Sequence, residues 1–260
     1  MLDSGAFSAW TKKTSIDIGQ YADYILKHEK HLENIVNLDV IPSYPGKPPS
    51  AIEVRESAKK GFQNYKYLIK RGVPREKLIH VFHQGEPFSV LKKMAGEMEY
   101  IGLSPANDKT TAQKKVFLEE CMKYVTNSNG EALVKFHGFA VTSIELMSSF
   151  PWYSVDSASA FLQAAQGNLW VPFFRGGVWD YKHAPRMCYC GDNPKNKPTE
   201  KELKLVKHYL DIMGVPEFFE GPLSIFNEYK TRMLLNCMFL LEIEKEVFPT
   251  YYERPRRGLF

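Results

Sequence analysis

The stretch LIHVFHQGE, residues 78–86, decides the fold. Its apolar residues lead, and His83 and Gln84 close it before Gly85. The same design recurs along the chain. LDSGAF (2–7), NIVNLDVI (34–41), YIGLSP (100–105), VKFHGFAV (134–141), WYSVDSAS (152–159) and NLWVPFFRG (168–176) are short apolar runs of the same kind. Between most of them the apolar residues take helical spacing. Ile18, Tyr21, Ile25 and Leu26 share one face, and so do Ala58, Phe62, Tyr65 and Leu68. Leu91, Met94 and Met98 follow, then Val116, Cys121 and Tyr124, then Ile144, Leu146 and Met147. Strand-like runs that alternate with helical segments predict a parallel sheet with crossover helices.

Seven such runs point to a TIM-type (β/α)8-like barrel over about residues 1–180. The first run is short of residues before Asp3, so the barrel is expected to be irregular at its first strand. Beyond Pro198 the pattern is helical, over 200–213 and 225–247, which predicts a helical C-terminal extension at about 199–250. The whole chain, 1–260, reads as a single domain, and its composition of 44% hydrophobic and 25% charged residues suits one large α/β core. Two loops stand out, SYPGKPPS (43–50) and the basic DNPKNKP (192–198).

The net charge of +4 is compatible with a polyanionic partner without requiring one. Four cysteines make no framework of a small secreted domain. No signal peptide is expected. The apolar stretch from Met233 to Ile243 is broken by Asn236 and Glu242 and is too short to span a bilayer. A cytoplasmic protein without membrane association is the expectation, in the host cytoplasm if the gene is carried by a phage.

Polar residues fall at the C-terminal ends of the runs: Asp3, Asp39, His83 with Gln84, His137 and Asp156. In a barrel these ends converge on the active face. A carboxylate in a strand is disfavoured by propensity and by burial, so three in equivalent places suggest chemistry. The plainer alternatives are helix capping for Asp3 and Asp156 and structural hydrogen bonding for His83 and His137.

LDSGAFS (2–8), NLDVIP (37–42), HQGE (83–86), YIGL (100–103), HGFA (137–140) and YSVDSAS (153–159), in this order, resemble the tRNA-guanine transglycosylase superfamily. The set is most similar to the short, phage-type DNA-guanine transglycosylases. The likeness covers about residues 1–180. It implies an enzyme, a pentosyltransferase that replaces guanine in DNA by a 7-deazaguanine such as 7-cyano-7-deazaguanine. Carried over by motif, Asp156 would be the covalent nucleophile and Asp3 the acid/base. Asp39 would bind the base edge, Gln84 its carbonyl, and Gly102 would contact the base through its backbone.

Beside that resemblance, Phe7 is a candidate for stacking on a flipped base, with Phe139 second, and His83 and His137 are candidates for lining the pocket. A base inside a duplex must be extruded before it can be exchanged. Arg175, Lys195, Lys197 and the tail residues Arg254, Arg256 and Arg257 are candidate phosphate contacts. The tRNA enzymes carry a zinc site. Here Cys188 and Cys190 are present, but Asn193 stands where a third cysteine belongs, so no cofactor is expected unless His183 and His208 complete a zinc site. That departure favours DNA over tRNA. Three alternatives stay open: a tRNA-acting relative, a metal-dependent barrel hydrolase using His83, His137 and the aspartates, and a non-catalytic nucleic-acid-binding barrel.

Overall fold

The computed structural model of the chain describes residues 1–43, 46–141, 143–181, 186–191 and 197–247. These form two compact units, 1–140 with 151–155, and 141–150 with 156–247.

The first unit is built on a curled, five-stranded parallel sheet, half of a barrel wall. Its strands are β1 (Ile35–Val36), β2 (Leu78–His83), β3 (Tyr100–Ser104), β4 (Lys135–Gly138) and β5 (Ser154–Val155), hydrogen-bonded in that order. Helices connect them: α2 (Ile18–His28) precedes β1, α3 (Ala51–Lys70) precedes β2, α4 (Phe88–Glu97) precedes β3 and α5 (Thr111–Val125) precedes β4. Capping boxes start α3 and α5, with Ser50 and Glu53 at one and Thr110 and Gln113 at the other. Alternation along each strand then sorts the side chains. On one face, Phe82 packs against Phe88 and Phe117 at 5.7 and 6.0 Å between ring centroids, which seals the sheet to α4 and α5. On the same face His80 packs against Phe62 and Tyr65 of α3. Burial drives its pKa down to about 3, so its ring is neutral and Nδ1 accepts from Asn37 Nδ2 at 3.0 Å.

The other face carries a row set by the register, Val81, Gly102, His137 and Ser154. His83 and Ser104 begin the next row, nearer the C-terminal ends. The first apolar run is a single parallel bridge rather than a full strand. Leu2 N donates to Asn34 O, and Leu2 O accepts from Val36 N, at 2.8 and 2.9 Å. The chain then turns at Gly5, whose φ of 74° suits a residue with no Cβ, into the short helix α1 (Ala6–Thr11).

The second unit contains α6 (Ile144–Ser149), α7 (Ser159–Ala165), β6 (Asn168–Val171), β7 (Phe173–Arg175), β8 (Val178–Asp180), β9 (Arg186–Tyr189), α8 (Glu200–Ile212) and α9 (Tyr229–Val247). The seventh apolar run, expected to extend the parallel sheet, does something else. Its β6 pairs antiparallel with β9, and β7 pairs antiparallel with β8. Pro172 interrupts the run by removing an N–H, and Gly176 and Gly177, both at positive φ, turn the chain straight back. The helical C-terminal segment is present as α8 and α9. No described helix is long and apolar enough to cross a membrane.

Asn236 of α9 is fully buried and ties this unit together. Its Oδ1 accepts from Trp170 N at 2.8 Å, and its Nδ2 donates to Ala160 O and Asn168 O. Replacing it by leucine, close in size but without donors or acceptors, removes the side-chain partner of all three backbone groups and orphans the buried Trp170 amide. The Trp170 amide alone accounts for about 1–3 kcal/mol of lost stability. Urea unfolding of Asn236→Leu checks this value.

Candidate active site

Asp39 lies three residues beyond β1, where the chain leaves the sheet. The segment is held by Asn37 N donating to Ile79 O at 2.7 Å and by Asn64 of α3, whose Nδ2 donates to Leu38 O at 2.7 Å. Both carboxylate oxygens of Asp39 are engaged. Ser4 Oγ donates to Oδ1 at 3.2 Å, and His83 Nε2 donates to Oδ2 at 2.8 Å. The opposite nitrogen, His83 Nδ1, donates to Glu86 Oε1 at 3.0 Å. Gly85, at φ 106°, gives the tight turn that brings Glu86 back over His83. The side chains of Asp39, His83 and Glu86 are only 11%, 14% and 4% exposed, so water screens these contacts little. Burial by itself would discharge His83. The hydrogen bonds to Asp39 and Glu86, with the charges of both, outweigh it and push the imidazole up to about 10. His83 is therefore a cation at neutral pH, a donor at both nitrogens with no lone pair for a metal ion.

Tyr21 marks where Asp3 sits. Its hydroxyl donates to Val36 O at 2.7 Å. Burial, then the charges of Asp3 and Asp39, push its pKa far above the ordinary phenol value. The charges of Asp3, which is exposed, and of Asp39 thus both act on one hydroxyl.

Gln84 is fixed from the other side. Its Oε1 accepts from Ala106 N at 3.0 Å, just past the YIGLS strand. The amide oxygen is thereby assigned, and the NH2 end is the donor left to a ligand. Further along the row, Ser154 Oγ lies 2.7 Å from His137 Nδ1 and 2.5 Å from the Tyr100 hydroxyl. Phe139 packs edge-on against His137, 4.4 Å between centroids. It also covers Gly102, where an added Cβ would sit 2.4 Å from the ring. Six separated segments of sequence are therefore neighbours in space across two successive rows of one sheet and the turns beyond them. In order they are the stretches around Ser4, Asp39, His83, Gly102, His137 and Ser154.

The other candidates are placed as follows. Asp156 is the residue directly after β5, is exposed, and belongs to the second unit. The N-cap positions of α1 and α7 are Gly5 and Ala158, so neither Asp3 nor Asp156 occupies a cap. Phe7 is 52% exposed, its ring 5.8 Å from that of Trp10. Arg175 is exposed on β7, its guanidinium over the Phe173 ring. Lys197 is exposed ahead of α8. Lys195, His183, Asn193, Arg254, Arg256 and Arg257 lie outside the described residues. Cys188 and Cys190 are buried on and just after β9. Burial, reinforced by Cys188, raises the Cys190 thiol to about 12, so it is neutral. His208 packs on Phe174 and Trp179. Among the described residues no group of three or more histidine, cysteine or acidic side chains could hold a metal ion.

Ser4, Glu86, Tyr21 and Ser154 belong to the arrangement although sequence reasoning did not select them. Glu86 carried a signal, since it lies three residues after His83 across a glycine turn. Comparison with protein-family models, with curated proteins and with solved structures gave no match to this chain.

Two outcomes follow from this geometry. The folded state holds the His83 proton between pH 6.5, the ordinary histidine value, and about 10, whereas the unfolded chain has released it. The stability that wild type owes to this proton is full below pH 6.5 and is lost as pH rises through about 10. Urea unfolding of wild type and His83→Gln across that interval will show their difference narrowing. Gly102→Ala forces the Phe139 ring to move and costs about 1–3 kcal/mol. A matching fall in the urea midpoint is the measurement.

Proposed function

We propose that this chain is a base-exchange transglycosylase that replaces guanine in DNA with a 7-deazaguanine through a covalent aspartyl-sugar intermediate. We further propose that its five-stranded parallel wall is part of a (β/α)8-type barrel. The observation that carries the reading is the convergence just described. The motif segments that resemble the transglycosylases lie side by side on one sheet, with direct hydrogen bonds from Ser4 to Asp39 to His83 and, one row back, from His137 to Ser154.

The proposed chemistry is a double displacement with retained configuration. An Asp156 carboxylate oxygen bonds to C1′ of the deoxyribose as the C1′–N9 bond breaks, and Asp3 delivers a proton to the departing guanine. Asp3 then accepts the N9 proton of the incoming base. That nitrogen attacks C1′ and releases the Asp156 carboxylate. The exposed positions of Asp3 and Asp156 suit groups that must meet a sugar. Asp39 has a fixed orientation and lone pairs to spare, which suits a fork of donors such as guanine N1–H and its exocyclic amine. The Gln84 NH2 suits a base carbonyl. Adenine presents the reverse pattern and would be rejected.

The test is incubation of the protein with guanine-containing DNA and radiolabelled guanine or 7-cyano-7-deazaguanine. Wild type is expected to transfer label into DNA. Asp156→Asn is expected to lose transfer by at least about 1,000-fold, and with it the covalent protein–DNA adduct. No transfer by wild type, or equal transfer by Asp156→Asn, overturns the reading.

A further inference from the structure

A cleft of about 420 Å³ opens in the first unit between α1 and the segment that follows Asp39, lined by Trp10, Lys13, Thr14 and Ser43. Its size lies within the range of about 300–1,000 Å³ typical of small-molecule sites. Each wall continues from a candidate site residue, α1 from Asp3 and Ser43 from Asp39.

The cleft is held in shape. Trp10 Nε1 donates to Ser43 O at 2.9 Å, which fixes the indole across the gap between the two segments. At the end of α1, Lys13 N donates to Trp10 O and Thr14 N to Ala9 O, which puts Lys13 in the left-handed region at φ 55°. Glycine is the ordinary residue in that helix-ending position. A lysine stands there instead, exposed and lining the cleft. Lys12 and Lys13 are both exposed, with no acidic residue between Asp3 and Asp17. Ser43 is likewise left-handed, at φ 64°, and its hydroxyl finds no partner among the described residues. An aromatic plane and a cation at one opening are features that bind a nucleotide. The base stacks on the ring, and the phosphate meets the ammonium.

We propose that this cleft binds one nucleotide of a single nucleic-acid strand, its base on Trp10 and its phosphate on Lys13. Resting on the function proposed above, that nucleotide is a neighbour of the one whose base is exchanged. DNA and RNA strands share the recognised chemistry, so both are tested.

The experiment is fluorescence anisotropy of the full chain with labelled short oligothymidylate and oligouridylate, over a range of salt. These oligomers contain no guanine, so binding needs no base exchange. Wild type is expected to bind at least one of them. Trp10→Ala is expected to weaken binding about 5- to 150-fold, and Trp10→Phe to keep most of it. Lys13→Ala is expected to lower the slope of log affinity against log salt by about 0.7. Lys201→Ala, on α8, is expected to leave both quantities unchanged. The preferred oligomer tells which strand the site takes. If Trp10→Ala fails to fold, the salt slope of Lys13→Ala decides. Failure of wild type to bind either oligomer, or unchanged binding by folded Trp10→Ala and Lys13→Ala, overturns the inference. Wild type that binds through Trp10 and Lys13 but transfers no label keeps the cleft and removes the proposed exchange reaction.

Discussion

His83 stands between two acids, and its proton fixes where both of them point. One donor reaches Asp39 beyond β1, and the other reaches Glu86 beyond its own strand. Burial of the two acids would be costly without His83, because two carboxylates would then face each other with no cation between them. With the cation in place, Asp39 is clamped from one side by His83 and from the other by Ser4. The N-terminal residues are thereby tied to the second strand, far from them in sequence. The single Leu2–Ile35 bridge would be a slender attachment without that clamp.

Parallel register does the remaining work of assembly. Neighbouring strands in register put Val81, Gly102, His137 and Ser154 in one row, and alternation turns Phe82, Ile101 and Phe136 to the helices. A shift by one residue would exchange the two faces, placing His83 among the phenylalanines of α4 and α5 and Phe82 beside Asp39. The hydrophobic demand of one face thus protects the polar order of the other. Gly102 is part of that order. Its missing side chain makes room for the Phe139 ring, and a larger residue would spread the row.

Much of this was legible in the residues. The five parallel strands correspond to apolar runs with polar ends, and the helices around them follow the helical spacing. Runs such as LIHVFHQG are long enough, and sharply enough bounded by glycine and proline, to be read locally. NLWVPFFRG was misleading because its composition suits a parallel strand. Its partner is chosen by the hairpin that follows, and pairing is a property of the fold, not of the run. In the candidate site, the positions of Asp39, His83 and Gln84 just at or beyond strand ends were legible from the runs that precede them. Glu86 and Ser4 were not, since what matters about them is the atom each one touches. Ser4 lies 35 residues from Asp39, and nothing in either segment announces the pairing. The capping alternative for Asp3 and Asp156 was reasonable by composition, but Gly5 and Ala158 hold the cap positions.

The placement of Asn236 has a consequence for how the protein is made. Its partner Trp170 emerges from the ribosome 66 residues earlier. At about 5–20 residues per second, that amide waits some 3–13 s before the side chain that satisfies it exists. Through that interval β6 and α7 lack the helix against which they pack. Nascent chains at this stage offer an unfinished apolar surface to chaperones, and codon choice over the last third of the message sets how long they do so.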